Sequence, residues 1–375
     1  MQIREYPDFD ALPVSYDALL ETAGRTNVRW SRQWLAAALS HGASLAGPTL
    51  LLGVEDATGR AAALNVGFSL QHYGESAHCR ALALQIGEEP YRPIVSNAVS
   101  ALDVFQMVAH YAHRSRPPYD ALRISPLDAE LLERLPPILR AEGWIRQRFF
   151  MFANRYEDVS GCDSSAYLQA RPPRLRSTIE RRTRSLEKSR RLRIEIIETD
   201  VGLDSTTWDF ERVFSRRWKQ GLTEVPYQRA LMKVAAEAGA LRLALLYIDD
   251  APAAAQFWIM SGGVGYLHRL AYDERFRDLS PGTVLTWHVI RHLLDVDRVD
   301  VLDLGIGDDA YKRDWATSLR ERWGLVGFNP RTLRGLRGAV WNLGGHAVKN
   351  IMRVMLRPLM NRSSTASFRA WNRRK

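Results

Sequence analysis

The sequence predicts an α/β (α+β) fold in which one order of elements occurs twice, each time as a mixed, mostly antiparallel sheet flanked by helices. Three observations predict it. Leu241–Pro330 reads as three strands, a helix, a strand, a helix and a strand. Residues 49–154 read in the same order, and a fixed order at long spacing marks two copies of one fold. The two stretches also end alike, Glu142-Gly143-Trp144-Ile145 against Arg322-Trp323-Gly324-Leu325.

In the second stretch, Leu241–Ile248 and Ala254–Met260 are apolar runs joined by Asp249-Asp250-Ala251-Pro252, and Gly262-Gly263 leads into Gly265–Tyr272. Such runs bounded by Gly, Pro and Asp form an antiparallel meander. Pro281–Leu294 is helical by period, with Leu285, Val289, Ile290, Leu293 and Leu294 tending to one side. Ser280 stands as a natural N-cap, and Pro281 sits where proline is tolerated. The bare amides of that helix start, with Gly282 allowing close approach, suit a phosphate. Val299–Leu304 is the next strand.

In the first stretch, Thr49–Val54, Ala61–Phe68 and His78–Ile86 read as strands, Val95–His113 as a helix and Ala121–Ser125 as a strand. Asp128–Ala141 reads as a helix that Pro136-Pro137 interrupts or kinks, and Trp144–Asn154 as the last strand. This copy has Gly87-Glu88-Glu89-Pro90 after its third strand, and two acids repel a phosphate. Phosphate binding therefore falls to the second copy, and the first is left to shape the groove beside it.

The 375 residues allow two domains of ordinary size, and 46% hydrophobic with 25% charged residues is a soluble composition. Met1–Tyr16 has no signal-peptide pattern and no apolar run approaches spanning length, which reads as a cytoplasmic protein. Cys79 and Cys162 make no metal or disulfide framework, and no metal site is expected. The net charge of +10 is uneven. Arg171–Arg193 holds ten Lys/Arg against Glu180 and Glu187, and Arg331–Lys375 holds eleven with no acid, so the rest of the chain is net acidic. Pro172–Leu192 reads as a basic connector helix with Leu175, Ile179 and Leu186 as its apolar edge. It contacts either an anionic acceptor, RNA, or simply the domains beside it. In the tail, Leu333, Leu336, Val340, Leu343, Ala347, Ile351, Val354 and Met355 recur at helical spacing among arginines. That stripe suits either an anionic membrane surface, at the inner face, or docking on the chain itself. The resulting division is 1–160, 161–200 (connector), 201–330 and 331–375 (tail).

The Ser280-Pro281-Gly282-Thr283 helix start, the segment Asp303-Leu304-Gly305-Ile306-Gly307-Asp308-Asp309-Ala310-Tyr311-Lys312 and the upstream Arg216-Arg217-Trp218-Lys219 resemble the GNAT acyltransferases. Within these the chain is similar to the CelD/BcsL type associated with cellulose and exopolysaccharide synthesis, itself similar to the Fem-type aminoacyltransferases. The resemblance spans roughly residues 20–330. It implies two tandem GNAT-like domains and an N-acyltransferase using acetyl-CoA or another acyl-CoA on an amine of a sugar, amino acid or metabolite. The usual Gln/Arg-x-x-Gly-x-Gly/Ala loop is present only in part, since Arg277-Asp278-Leu279-Ser280-Pro281-Gly282-Thr283 keeps one glycine. The alternatives are transfer from aminoacyl-tRNA, with no other nucleic acid expected, and a non-catalytic subunit of a membrane polysaccharide synthase.

By that resemblance the cofactor lies on Arg277, Leu279, Ser280, Pro281, Gly282 and Thr283, with the acyl carbonyl on a backbone amide near Leu270–Tyr272. Tyr311 takes the place of the proton donor to the thiolate, a match of comparable pKa values. Asp308, at the cleft mouth, is the carboxylate expected to act as base or hold the amine, and Asp309 is expected to be an N-cap. Asp303, Lys312, Gln256 and His268 are expected to line the acceptor side, with His268 on one face with Leu270 and Tyr272. Trp218 and Lys219 are expected to bind acceptor from the helix before the meander.

Overall fold

The structure, a computed structural model, describes residues 1–42, 47–71, 79–189, 192–216 and 225–343. The first half runs β1 (Gln2–Tyr6), α1 (Asp17–Thr26), α2 (Arg32–Gly42), β2 (Thr49–Glu55), β3 (Ala61–Leu70) and β4 (Ala81–Leu84). A two-residue β5 (Ile94–Val95), α3 (Ala101–Arg114), β6 (Ala121–Leu127), α4 (Ala129–Ala141) and β7 (Ile145–Asp158) follow. After α5 (Ser164–Gln169) and α6 (Pro173–Ser189) the order recurs: β8 (Leu192–Ile197), α7 (Leu203–Ser215), α8 (Val225–Glu237), β9 (Leu241–Ile248), β10 (Ala251–Ser261) and β11 (Val264–Tyr272). It ends in α9 (Pro281–Asp295), β12 (Val301–Ile306), α10 (Ala310–Trp315) and β13 (Ser318–Phe328), with a further helix over 333–343.

The expected meander and its helix are found almost residue for residue. The first half departs at three places. Residues 95–100 are not helical: β5 pairs with β3, and α3 starts at a Ser100 cap whose hydroxyl accepts from the Asp103 amide. The third strand is shorter than expected. Pro136 and Pro137 do not break α4, which Asp128 caps by accepting from the Leu131 amide. The prolines remove two donors, but Leu131, Leu135 and Leu139 are fully buried on one stripe, and that packing holds the helix.

Both halves join in one sheet, in the order β1-β2-β3-β4-β6-β13-β7-β12-β11-β10-β9-β8. The last strands are exchanged. β7, which ends the first half, pairs antiparallel with β12 of the second; β13, which ends the second, pairs antiparallel with β6 of the first. β7 and β13 then pair with each other along their length. Gly324 makes this possible, because a Cβ there would lie 2.2 Å from the Phe149 ring on the facing strand.

Cores lie on both faces of the sheet. In the second half α9 buries Val284, Leu285, Val289, Ile290, Leu293 and Leu294 against β9–β12, each side chain contributing about 1.5–3 kcal/mol. The apolar edge of α6, Leu175, Ile179 and Leu186, is buried in the same cluster, so the basic helix is packed down with its arginines outward. In the first half α3 and α4 fill the equivalent place.

Candidate functional site

Two features of β11 define the site. The first is its parting from β12. The two pair in parallel only over Val264↔Val301, Gly265↔Leu302 and Tyr266↔Asp303, and β11 then continues to Tyr272 without that partner. The second is a bulge: Phe257 of β10 faces Arg269 and Trp258 faces Leu267, which leaves His268 as the extra residue. The bulge breaks the alternation expected from sequence. His268 swings to the Phe257 ring, edge-on at 5.1 Å between centroids, away from Leu270 and Tyr272, which pack on the α9 side.

At the far end of β11, Ser280 stands where the motif's first glycine would be and takes a glycine-like backbone, φ +54° and ψ +46°. It occupies the N-cap position, but its side chain makes no capping hydrogen bond, because the left-handed backbone turns the hydroxyl away. Pro281 has no amide, and that of Gly282 lies in the first turn, where no carbonyl of the helix reaches. A Cβ added at Gly282 would meet only the Tyr272 ring, at an ordinary 3.5 Å. Glycine is thus not required by packing there. Arg277 is exposed, while Leu279, Leu270 and Tyr272 pack on the core beneath. This turn fits an anionic pyrophosphate.

At the near end, the parting of β11 and β12 opens into a cleft of about 280 Å³ between the halves. Leu267, His268 and Arg269 of β11 and Asp303, Gly305 and Ile306 line one side, and Ile86–Arg92 of the first half line the other. Glu88 and Glu89, the acids that argued against a phosphate there, are part of that lining. The floor is Phe152 and Asn154 of β7 with Arg320 and Arg322 of β13. Trp30 and Trp34 close it, and Arg29 stacks on the Tyr266 ring at 3.9 Å.

The polar groups of the cleft are mostly tied together. Asp303 accepts from Asn154 Nδ2 at 2.7 Å and the Gly305 amide at 2.9 Å, and pairs with Arg320, which also donates to Asn154 Oδ1. Arg29 pairs with Glu89, and Arg92 with Asp128 at 2.7 Å. Two groups stand apart. Nε2 of His268 is buried with no hydrogen-bond partner, and burial, aided by Arg269 and Arg29, lowers its pKa well below the ordinary value, so the ring stays neutral. Arg322 is 8% exposed and makes no ion pair or hydrogen bond with any described residue.

Of the residues singled out in sequence, His268 and Asp303 are in the cleft. Gln256 is not: its amide donates to Thr286 Oγ1 at 2.6 Å and accepts from Trp258 Nε1 at 2.8 Å, tying β10 to α9. Lys312 is buried, its ammonium donates to the Ile306 carbonyl, and burial lowers its pKa. It holds the 306–309 turn. Asp308 is clamped by Arg155 at 2.7 Å and Arg313 at 2.8 Å, which hold its carboxyl below the ordinary range. A carboxylate so paired is a poor base, and it is not part of the cleft lining. Asp309 occupies the N-cap position of α10 but makes no capping hydrogen bond. Tyr311 is 43% exposed, beside the cleft rather than in its lining; burial of the phenol and then Asp309 raise its pKa, so it remains protonated. Trp218 and Lys219 lie outside the described residues.

Sequence reasoning missed Arg322, Arg320, Asn154 and Arg29. The signal available was the matched pair of strand ends, which marked β7 and β13 without showing that they cross over.

Residues 173–313 match the family profile described as an acetyltransferase (GNAT) domain. This stretch is similar to GNAT-type acetyltransferase domains, a match that supports a transferase. The GNAT match starts at the first residue of α6 and ends in α10. Solved structures extend the likeness to the paired fold. FemX aligns with a TM-score of 0.57 at 12% identity, over 86% of this chain and 97% of that one. The C-terminal domain (DUF2156) of a putative lysylphosphatidylglycerol synthetase from Agrobacterium fabrum gives 0.52 at 14%, over 86% and 96%. L-PGS from Bacillus licheniformis gives 0.52 at 13%, over 92% and 99%. At such identities the likeness is one of fold. No curated protein matches in sequence. Among the described residues no helix is long and apolar enough to cross a membrane.

Proposed function

We propose that the protein is an acyl-CoA-dependent N-acyltransferase, with acetyl-CoA the simplest donor, acting on an amine of a sugar, amino acid or other metabolite. The observation that carries the reading is the arrangement along β11. A left-handed turn at Ser280 leads into α9 beyond the end of β11, and four residues back from that end at Tyr272, or roughly 13 Å at strand spacing, a bulge opens onto the cleft at His268. Coenzyme A, when bound, supplies an acyl group activated as a thioester.

The residues of the chain do the rest. The Ser280–Thr283 turn and Arg277 hold the pyrophosphate. The parting of β11 from β12 leaves strand amides around His268 without a β12 partner, where they can receive the acyl carbonyl. His268 Nε2, neutral and unpartnered, accepts a hydrogen bond from the acceptor amine and so orients its lone pair. The new C–N bond forms as the C–S bond breaks; Tyr311 gives its proton to the departing sulfur, and the proton lost by the amine passes through solvent to restore the Tyr311 phenol. The sequence resemblance to the CelD/BcsL type supports a role for this activity in exopolysaccharide or envelope synthesis.

The reading is tested by calorimetry of the full-length protein with acetyl-CoA and coenzyme A. Both bind the wild type, and Gly282→Val, which packing tolerates, removes binding while leaving the unfolding transition in place. No binding to the wild type would refute donor use of acyl-CoA. The same titration with a charged tRNA would then test the aminoacyl-tRNA route.

A further inference from the structure

The cleft floor holds a cation that the protein itself does not neutralise. Arg322 lies on β13 opposite Phe152 of β7, more than nine-tenths buried. The other arginines of the lining are engaged: Arg29 by Glu89, Arg92 by Asp128 and Glu130, Arg269 by Glu88 at 3.8 Å, and Arg320 by Asp303. Arg322 has only Arg320 close by as a like charge, with Asp303 and Asp128 acting on it without contact. A largely buried guanidinium with no carboxylate in contact is costly, so a fold that keeps one at a cleft floor keeps it for something that enters the cleft. Its planar fork of donors matches the two oxygens of a carboxylate or phosphate.

His268 belongs to the same lining, and its Nε2 is buried without a partner. His268 Nε2 can only accept a hydrogen bond while the ring is neutral with its proton on Nδ1, and an amine is the natural donor. The space is about 280 Å³, with Trp30, Trp34 and Tyr266 as walls, the scale of a small metabolite.

We propose that the acceptor is a small amine that also carries an anionic oxyacid group, a carboxylate or a phosphate, which Arg322 binds while His268 receives the amine. This rests on the acyl-transfer reading above. It adds that specificity is set by β13, a strand of the second half lodged beside the first. The acceptor site therefore exists only because the final strands are exchanged.

The test is the melting temperature of the full-length protein in sodium phosphate, sodium acetate and sodium chloride at matched ionic strength. Phosphate or acetate is expected to raise it over chloride by about 1–4 °C at saturating concentration. A rise with phosphate alone points to a phosphorylated amine, and a rise with acetate to an amino acid. The rise should vanish in Arg322→Met and survive in Gly282→Val, which separates this site from the pyrophosphate turn. Without anion, Arg322→Met should melt no lower than the wild type, because it removes an unpaired buried charge. Equal melting in all three salts, a rise retained by Arg322→Met, or a destabilised Arg322→Met protein would each overturn the proposal. Coenzyme A affinity measured on the same Arg322→Met protein should be unchanged. If coenzyme A fails to bind even the wild type, the acyl-transfer reading falls while the anion result stands by itself.

Discussion

Asp303 is where the exchanged strands are locked, and Asp303→Ala measures the lock. The carboxylate is 6% exposed and holds three groups from three strands: Asn154 on β7, Arg320 on β13 and the Gly305 amide on β12 itself. Removing one partner of a buried ion pair costs about 3–5 kcal/mol. Arg320 keeps 31% side-chain exposure, so water screens part of its stranded charge, and about 2–3 kcal/mol is the expected share. The Gly305 amide left without an acceptor adds about 1 kcal/mol. Asn154 Nδ2 still reaches the Gly305 carbonyl at 2.9 Å and adds little. The total is about 3–4 kcal/mol, a large part of the stability of an ordinary domain. Urea unfolding with the slope held in view measures it. The double variant Asp303→Leu/Arg320→Met should be less destabilised than Asp303→Ala, since it strands no charge. If Asp303→Ala unfolds within about 1 kcal/mol of the wild type, the network does not hold the exchange together.

Three further outcomes follow from the geometry. Tyr311→Phe is expected to lower turnover roughly 10²–10⁴-fold with little change in coenzyme A affinity; normal turnover would make water or the acceptor the proton source. Glu157 is buried, and although burial opposes its ionisation, Arg171 and the amide and hydroxyl of Thr317 hold its carboxyl below the ordinary 4.5. A lowered folded value means stability fully present above pH 4.5 and lost as pH falls through the folded value. The gap in unfolding midpoint between wild type and Glu157→Gln should therefore shrink below pH 4.5, and a gap constant from pH 7 to about pH 3 would contradict it. The helix over 333–343 leaves Leu333, Leu336, Val340 and Leu343 exposed beside Arg334 and Arg337, while Ala339 packs inward. Truncation after 330 should remove salt-sensitive sedimentation with anionic vesicles; equal sedimentation of both forms would assign the tail to the protein itself.

Much of the fold is local, and local chemistry is what a sequence displays. Alternating apolar runs between Asp-Asp and Gly-Gly turns fix β9–β11, and the 3.6-residue stripe with Ser280-Pro281-Gly282 at its head fixes α9. The repeat of element order, and the matched Gly143-Trp144 and Trp323-Gly324 ends, fix two copies of one fold. The Arg277–Thr283 turn proposed for the pyrophosphate was legible for the same reason, because it is seven consecutive residues. What the sequence determined by itself was therefore the elements of each half and the turn that heads α9.

Tertiary structure decided the acceptor end. Which strand lies beside which depends on pairing between residues some 170 positions apart, and nothing in β7 or β13 alone says that they cross over. That crossing brings Asn154, Asp303, Arg320 and Arg322 together, and it clamps Asp308 by adding Arg155 of β7 to the local Arg313. A carboxylate in a promising motif is a base or a spent ion pair according to the cations folded against it, and an arginine in an ordinary strand becomes a binding group when no carboxylate is. Both outcomes are set by long-range neighbours, because the electrostatic state of a side chain belongs to its surroundings and not to its place in the chain.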